Sequence, residues 1–540
     1  MAAKLQFFSE LGKKNGKKDY LCNMKKLFLL TIAALFAATS LSAQHPLDWG
    51  DQHNGTYKNP VLNADYSDPD VIRVDGKYYM VASDFHFMGM QVLESCDLVN
   101  WHIISQIYDH FDLPGWDGNG HYAGGSWAPS IRYHDGLFYV YFCTPDEGLF
   151  MSTATDPHGP WSPLHCLKTV EKWEDPCPFW DDDGQAYLGR SQWGAGPIIV
   201  HRMSADGKKL LDDGVTVYTG PVAEGTKFLK RNGYYYLIIP EGGVGTGWQT
   251  VLRSRNIYGP YERRVVLEQG STNVNGPHQG ALVDTPDGSW WFFHFQETHP
   301  AGRVVHLQPA RWKDDWPLIG VDIDGNGIGE PVAVWTKPAI SGCVNDSSGL
   351  SCLSGFGSPA ESLPLCWQWN HNPVGSAWSL SPQAGAITFS ILPAATIKDS
   401  RNMLTQKTVG YESEAAVCIG VKSMREGDHA GLLCTGKQFM GVGVCVKDGR
   451  RYFYFEDDNH PQLLTTFDRD MVYLRVNIDS RNNQHQFFVS IDGTEFRPVG
   501  HPFALRMGYW KGSRIGVYSY ATGQAAGKVV FSDFSYVVTR

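Results

Sequence analysis

The sequence predicts an all-β protein, a five-bladed β-propeller followed by a β-sandwich. Three observations lead there: a β-hairpin unit that recurs five times, a second run of short alternating strands beyond a Ser/Gly/Pro-rich connector, and no sustained helical periodicity in 540 residues. The first hairpin is YSDPDVIRVDGKYYMVAS, from Tyr66 to Ser83, with two apolar runs joined at Asp75-Gly76. Asp-Gly and Asn-Gly between alternating runs are strong hairpin signals, because the tight turn needs φ > 0 at both central residues. The unit returns around Asp135-Gly136, Asp183-Gly184, Asn232-Gly233 and Asp287-Gly288, in steps of 60, 48, 49 and 55 residues. Periods of this size mark propeller blades, each too small to bury its apolar faces without neighbours.

A fixed distance upstream of each turn stands a residue able to do chemistry. Counting back seven to nine positions reaches Asp68, Trp127, Asp175, Glu224 and His278. Equivalent blades would place these at equivalent points of a ring, so that three carboxylates, an aromatic ring and an imidazole line one pocket at an end of the central channel.

Beyond the five hairpins the pattern changes. Residues 44–338 are expected to form the propeller, 339–363 a linker, and 364–540 the sandwich, with strands such as EAAVCIGV, RYFYFED, MVYLRVNID and SRIGVYSY. Ahead of the propeller, Met24-Lys25-Lys26 and the apolar run to Ala43 have the pattern of a secretory signal, too short to span a bilayer. Residues 1–23 are polar and basic and do not belong in front of a signal, so they read as a spurious extension. No Cys follows Ala43, which argues against a lipid anchor, and the mature chain is expected from Gln44, exported to the periplasm or the medium.

Composition narrows the partners. Aromatic residues reach 13% against 19% charged, with 18 Trp, a balance that suits aromatic-rich β architecture. With 46 basic and 56 acidic residues the net charge is −10, which disfavours nucleic acid and anionic membrane. Export permits disulfides, and none of the cysteines has metal-ligand spacing. Cys96, Cys143, Cys166 and Cys177 lie in or beside strand-like segments and read as buried thiols, whereas Cys343 and Cys352, in the connector, are the best disulfide candidates.

Two carboxyl groups across a pocket are the minimum apparatus for hydrolysing a glycosidic bond. One is protonated to assist the leaving oxygen, the other ionised to activate water or to attack carbon. A third can hold the acid's pKa up and fix its orientation. Asp68, Asp175 and Glu224 meet that need, although an Asp before Pro is ordinarily a turn residue and a Glu before Gly ordinarily a solvated acid.

The segments SDPDVIRVDGKYYMVAS, GGSWAPSIRYHDGLFYVYF, EDPCPFWDDDGQAYL, AEGTKFLKRNGYYYLI and GRVVHLQPARWKDDWP resemble glycoside hydrolase family 43, the five-bladed β-xylosidases and α-L-arabinofuranosidases. WQWNHNP and SRNMLTQ are similar to the concanavalin-like sandwich of its β-xylosidase branch. The resemblance implies an inverting exo-glycosidase acting on pentose-containing oligosaccharides, with Asp68 as general base, Glu224 as general acid, Asp175 as modulator of the acid's pKa, and Arg303 facing the sugar. Inversion would set the two working carboxyls about 6.5–9.5 Å apart. It makes His278 either a neutral channel histidine or a calcium ligand, although calcium prefers oxygen. Trp127, and Phe87 in DFHFMG, are expected to offer apolar faces to a pentose. No organic cofactor is implied. EGGVGTGW departs from the family's EGGTG, with Val244 in place of a Thr, and the loop between His278 and Arg303 is short, so the resemblance does not choose between xylose and arabinofuranose. A non-catalytic carbohydrate-binding protein and an endo-arabinanase are the alternatives. The run from Asp322, which opens like a calcium loop, carries Ala333 where such a loop needs Glu.

Overall fold

The computed structural model describes residues 47–340, 342–343, 349–351, 354–357, 362–381, 385–524 and 527–539. The expected signal and the extension before it lie outside these residues, as does Cys352. Residues 47–540 form one compact unit. Among the described residues the only helical turn is Gly375–Ala377.

Five four-stranded antiparallel sheets follow one another along the chain, each with its strands in sequence order. Their first strands are Ser67–Val74, Trp127–His134, Trp173–Trp180, Lys227–Arg231 and His278–Asp284, which define blades 1 to 5. The ring closes where the segment before blade 1 bonds to blade 5: the N–H groups of Val61 and Leu62 both donate to the Val305 carbonyl, and Tyr66 N–H donates to that of Arg303. Closure brings Arg303 beside residues 235 positions earlier in the chain.

The turns divide into two kinds. In blades 1, 2 and 4 the two-residue loop takes φ > 0 at both positions, with Asp75, Asp135 and Asn232 at 49°, 46° and 50° ahead of their glycines. Blades 3 and 5 have five-residue loops in which only Gly184 and Gly288 are left-handed. There the Asp183 and Asp287 carboxylates accept the N–H of the residue two positions on, closing the turn by side chain rather than by a mirror-image backbone.

Each blade also has a left-handed residue near the start of its first strand. The residue in the left-handed region is Asp68, Ala128, Asp175, Gly225 and Gln279 in turn, with φ of 57°, 40°, 56°, 66° and 34°. The strand register slips at that point in blades 1, 2, 3 and 5. Left-handed backbone is costly for residues other than Gly, and such outliers gather where a site over-determines them. The left-handed residue recurs in all five blades and turns side chains toward the channel mouth.

The sandwich consists of two seven-stranded sheets. Leu432, Val442 and Val517 from one sheet share an apolar cluster with Val417, Leu474 and Phe531 from the other. The interior strand Arg514–Ala521 of the first sheet is buried on both faces, every residue of it buried. The second face of this sheet holds Met403, Leu433, Phe439 and Tyr518, with Tyr122 of the propeller packed against them.

Polar contacts lock the two layers together. Lys407 of the sandwich pairs with Asp84 at 3.0 Å and donates to the Asp65 carbonyl at 2.8 Å. Asp65 Oδ1 accepts the N–H of Arg303 at 2.8 Å, and its Oδ2 accepts that of Gly512 at 2.9 Å.

The disulfide expectation is corrected on its partner. Cys343 is bonded to Cys96, 247 residues earlier, which was read as a buried thiol. The connector folds back on the end of a blade 1 strand, a proximity that sequence distance hides. Cys366 is also disulfide-bonded. Cys143 and Cys177 are buried thiols as expected, but Cys166 is exposed, because its strand His165–Thr169 is the outer edge of blade 2.

Candidate active site

A cavity of about 360 Å³ opens over the left-handed residues, and Asp68, Trp127, Asp175, Glu224, His278 and Arg303 all line it. Six of the seven residues singled out from the sequence therefore converge. The seventh, Phe87, does not. It is buried at the interface with the sandwich, with the Arg514 guanidinium 3.8 Å from its ring centroid and Lys511 Nζ at 5.2 Å. Phe85 lines the cavity in its place, edge-on to Trp127 with ring centroids 6.4 Å apart. The backbone at Phe85 is left-handed (φ 52°), and nothing within DFHFMG distinguishes this ring from Phe87.

Asp68 is buried, and its Oδ2 accepts hydrogen bonds from the hydroxyls of Ser67 (2.7 Å) and Ser83 (2.6 Å). Arg303 Nη1 donates to Ser67 Oγ at 2.8 Å and stands 3.5 Å from Asp68 Oδ1, while its Nε reaches Glu297 Oε2 at 3.3 Å. This carboxylate thus has a cation beside it and two hydroxyl donors, the pairing a buried charge requires.

Asp175 is held differently. Its Oδ2 accepts the N–H of Gly225 at 2.7 Å and the hydroxyl of Ser191, and Gln279 Nε2 approaches Oδ1 at 3.4 Å. Burial raises its pKa above the ordinary carboxylate value, and the negative charges of Glu224 and Asp68 push the same way. The Ser191 and Gly225 bonds oppose the rise.

Among the described residues the Glu224 carboxyl has one hydrogen-bond partner, His278, whose Nε2 lies 2.8 Å from Oε1. The imidazole is buried, and its Nδ1 meets no partner among the described residues. Tested as a calcium site, His278 fits poorly. It presents nitrogen to a cation that takes six to eight oxygens, and Glu224, its nearest carboxylate, is hydrogen-bonded to its other nitrogen. The Asp322 segment closes as an ordinary turn, Asp324 Oδ1 accepting the N–H of Asn326.

Sequence reading missed two kinds of wall residue. The first is Glu174, whose carboxyl oxygens lie within 4.8 Å of those of Asp175 and Glu224. Its signal was present but off by one. Asp68 and Asp175 are the left-handed residues of their blades, whereas Trp127, Glu224 and His278 stand one place before theirs. The counterpart of Glu224 in blade 3 is therefore Glu174. The longer turns of blades 3 and 5 move the Asp-Gly pair one residue further on and conceal the offset. The second kind is Trp510, half-exposed, on a sandwich hairpin bridged between Gly508 and Lys511. Its ring is edge-on to Trp127 at 6.3 Å, and Trp193 lies 5.6 Å from Trp127 on the other side. Trp127 Nε1 donates to the Ala123 carbonyl at 2.9 Å, which fixes the central ring of this row. Val244 also faces the cavity, where a Thr would have brought a hydroxyl.

Chemically the site offers carboxyl groups on separate blades and an aromatic wall suited to the C–H face of a sugar.

Comparison with known proteins agrees. Residues 57–317 match the family model described as Glycosyl hydrolases family 43, and residues 356–537 match the Beta xylosidase C-terminal Concanavalin A-like domain. A putative beta-xylosidase of Xylanibacter ruminicola is 64% identical over 469 residues, 87% of either chain. A beta-xylosidase of Formosa agariphila is 33% identical over 96% of this chain and 98% of its own. Among solved structures, a GH43 glycoside hydrolase engineered to display both endo-xylanase and exo-arabinofuranosidase activity superposes with a TM-score of 0.80, at 26% identity, over 89% of this chain and all of its own.

Proposed function

The chain belongs to glycosyl hydrolase family 43 and is a glycoside hydrolase, and we propose that it removes terminal β-D-xylosyl or α-L-arabinofuranosyl residues from plant cell-wall oligosaccharides with inversion at the anomeric carbon. The observation that carries the reading is the division of labour among three carboxyls on one cavity: Asp68 beside a cation, Glu224 bonded to an imidazole, and Asp175 bonded to the peptide that follows Glu224.

In this reading Asp68 takes a proton from a water molecule, whose oxygen attacks the anomeric carbon. Glu224 gives its proton to the departing glycosidic oxygen. His278 holds the Glu224 carboxyl in place through the 2.8 Å bond. Asp175, which accepts the Gly225 N–H, anchors the backbone that carries Glu224. Arg303, with Phe295 and Trp510 beside its guanidinium, presents donors to a sugar hydroxyl.

An exo mode of action is favoured over an endo one by Trp510, which brings a sandwich side chain into the cavity wall and obstructs a through-running chain. The names of the two relatives support xylose, and the short His278–Arg303 loop and Val244 leave arabinofuranose as the second substrate to be tested. Export is proposed from the Met24–Ala43 pattern, and a disulfide between Cys96 and Cys343 accords with an oxidising compartment.

The test is release of p-nitrophenol from p-nitrophenyl β-D-xyloside and α-L-arabinofuranoside. Wild-type protein should cleave at least one of them. Asp68→Ala and Glu224→Ala should each lose about three orders of magnitude or more in kcat/KM. Wild-type rates in either variant would remove the role assigned to that residue, and sugar binding without turnover in the wild type would favour a lectin.

A further inference from the structure

We propose that Glu174 is a substrate-binding residue, its carboxyl, in the neutral form, donating a hydrogen bond to a hydroxyl of the sugar held between Asp68 and Glu224. The inference rests on the glycosidase reading above and deepens it.

Glu174 and Glu224 each precede a left-handed residue, Asp175 (φ 56°) and Gly225 (φ 66°), and both side chains line the same cavity. Two adjacent blades thus deliver a Glu from the same structural position. Nothing in the proposed chemistry needs the second one.

The remaining polar side chains explain what is left for it. Asp68 is engaged by Ser67, Ser83 and Arg303, Asp175 by Gly225, Ser191 and Gln279, and Glu224 by His278. Arg303 is engaged by Ser67 and Glu297. Glu174 makes no side-chain hydrogen bond to any described residue, although it is only 9% exposed and lines the cavity. A mostly buried polar group facing an opening without a protein partner is satisfied only by what enters the opening.

The surrounding charges decide its protonation. Asp175, Glu224 and Asp68 face it from three other positions, and the Cys143 thiol lies close enough to be influenced by it. The cations offer little relief. Arg303 is committed to Asp68 and Glu297, and Arg190 stacks on Trp173 and donates to His201. Carboxyl oxygens within 4.8 Å of one another cannot all carry charge in a buried site, and burial followed by Asp175, Glu224 and Asp68 drives the Glu174 pKa well above the usual range. A neutral carboxyl is a donor, and a sugar hydroxyl is a good acceptor.

The experiment compares wild type, Glu174→Ala and Glu174→Gln on both p-nitrophenyl pentosides across pH, with calorimetric titration of xylose, arabinose and xylobiose and near-UV circular dichroism as a check on folding. Glu174→Ala should raise KM about ten- to hundredfold, with a smaller fall in kcat. Glu174→Gln keeps an N–H donor and should recover part of that loss. Its alkaline limb of kcat/KM should stay within about 0.3 pH units of wild type, because removing a neutral group leaves the acid's field unchanged. A KM within twofold of wild type in Glu174→Ala overturns the proposal, as does a folded Glu174→Gln no better than Glu174→Ala. So does an alkaline limb displaced downward by about one pH unit or more in Glu174→Gln, which would mean that Glu174 carries charge in the working enzyme. Failure of the wild type to bind or cleave any of these sugars would instead remove the glycosidase reading, and this inference with it.

Discussion

Asp175 accepts the backbone N–H of Gly225 at 2.7 Å, tying the carboxylate of blade 3 to the peptide immediately after Glu224 in blade 4. Through that bond Asp175 holds the main chain that carries the acid. Replacing the carboxylate while keeping an acceptor separates the bond from the charge.

Asp175→Asn should preserve the bond and lose the charge. Stability should depend on pH. Burial and Glu224 raise the folded-state pKa of Asp175 above its ordinary 3.8, so its contribution favours the fold below that value and is lost as pH rises through the folded-state pKa. The melting temperature of Asp175→Asn relative to wild type should therefore climb from pH 4 to pH 8. Scanning calorimetry across that range checks it, and a difference that does not vary with pH would count against the assigned cause.

Trp510 reaches the cavity from the sandwich, so its loss should affect binding without unfolding either layer. Trp510→Ala should raise KM for aryl pentosides about two- to fifteenfold, the range set by aromatic contacts of about 0.5–1.5 kcal/mol. Unchanged KM values would show that the hairpin tip does not touch the sugar.

The docking of that hairpin depends on two glycines. A Cβ on Gly512 would lie 2.1 Å from the Ala301 carbonyl oxygen, and one on Gly302, where φ is 98°, would lie 2.3 Å from Asp65 Oδ1. Gly512→Ala should force the sandwich away from blade 5 at a cost of about 1–3 kcal/mol and disturb Arg303, whose N–H shares Asp65 with Gly512. Thermal melting and kcat/KM should fall together. A variant with wild-type melting and activity would show that the contact yields without consequence.

The Cys96–Cys343 bridge closes a loop of 247 residues. Cys343→Ser should lower stability by roughly 2–4 kcal/mol and reduce the melting temperature by several degrees. Neither cysteine lines the cavity, so kcat at 25 °C should hold. A simultaneous loss of kcat in a folded variant would point to coupling between the connector and the site.

Much of the propeller was legible because its signals are local. Asp75-Gly76 and Asn232-Gly233 mark turns by backbone preference alone, and alternating runs such as KYYMVAS mark the strands beside them. Counting from those turns was accurate enough to bring Asp68, Asp175 and Glu224 into one cavity, yet it could not see the one-residue change in loop geometry that pairs Glu224 with Glu174. Phe87 failed because DFHFMG offers two aromatic rings of the same parity, and only the folded chain shows Phe85 at the cavity and Phe87 against Arg514 of the sandwich.

Short-range periodicity and turn chemistry, which depend on neighbours a few positions away, were enough to determine an all-β ring with acids at its mouth and a sandwich behind it. Only the folded chain decided that Arg303 stands beside Asp68, that Trp510 completes the wall and that Cys96 meets Cys343, contacts spanning 235 residues in the first case and 247 in the last. Those outcomes depend on ring closure and on how the two layers pack, and no pattern along a linear polymer encodes which distant backbone will arrive within hydrogen-bonding reach.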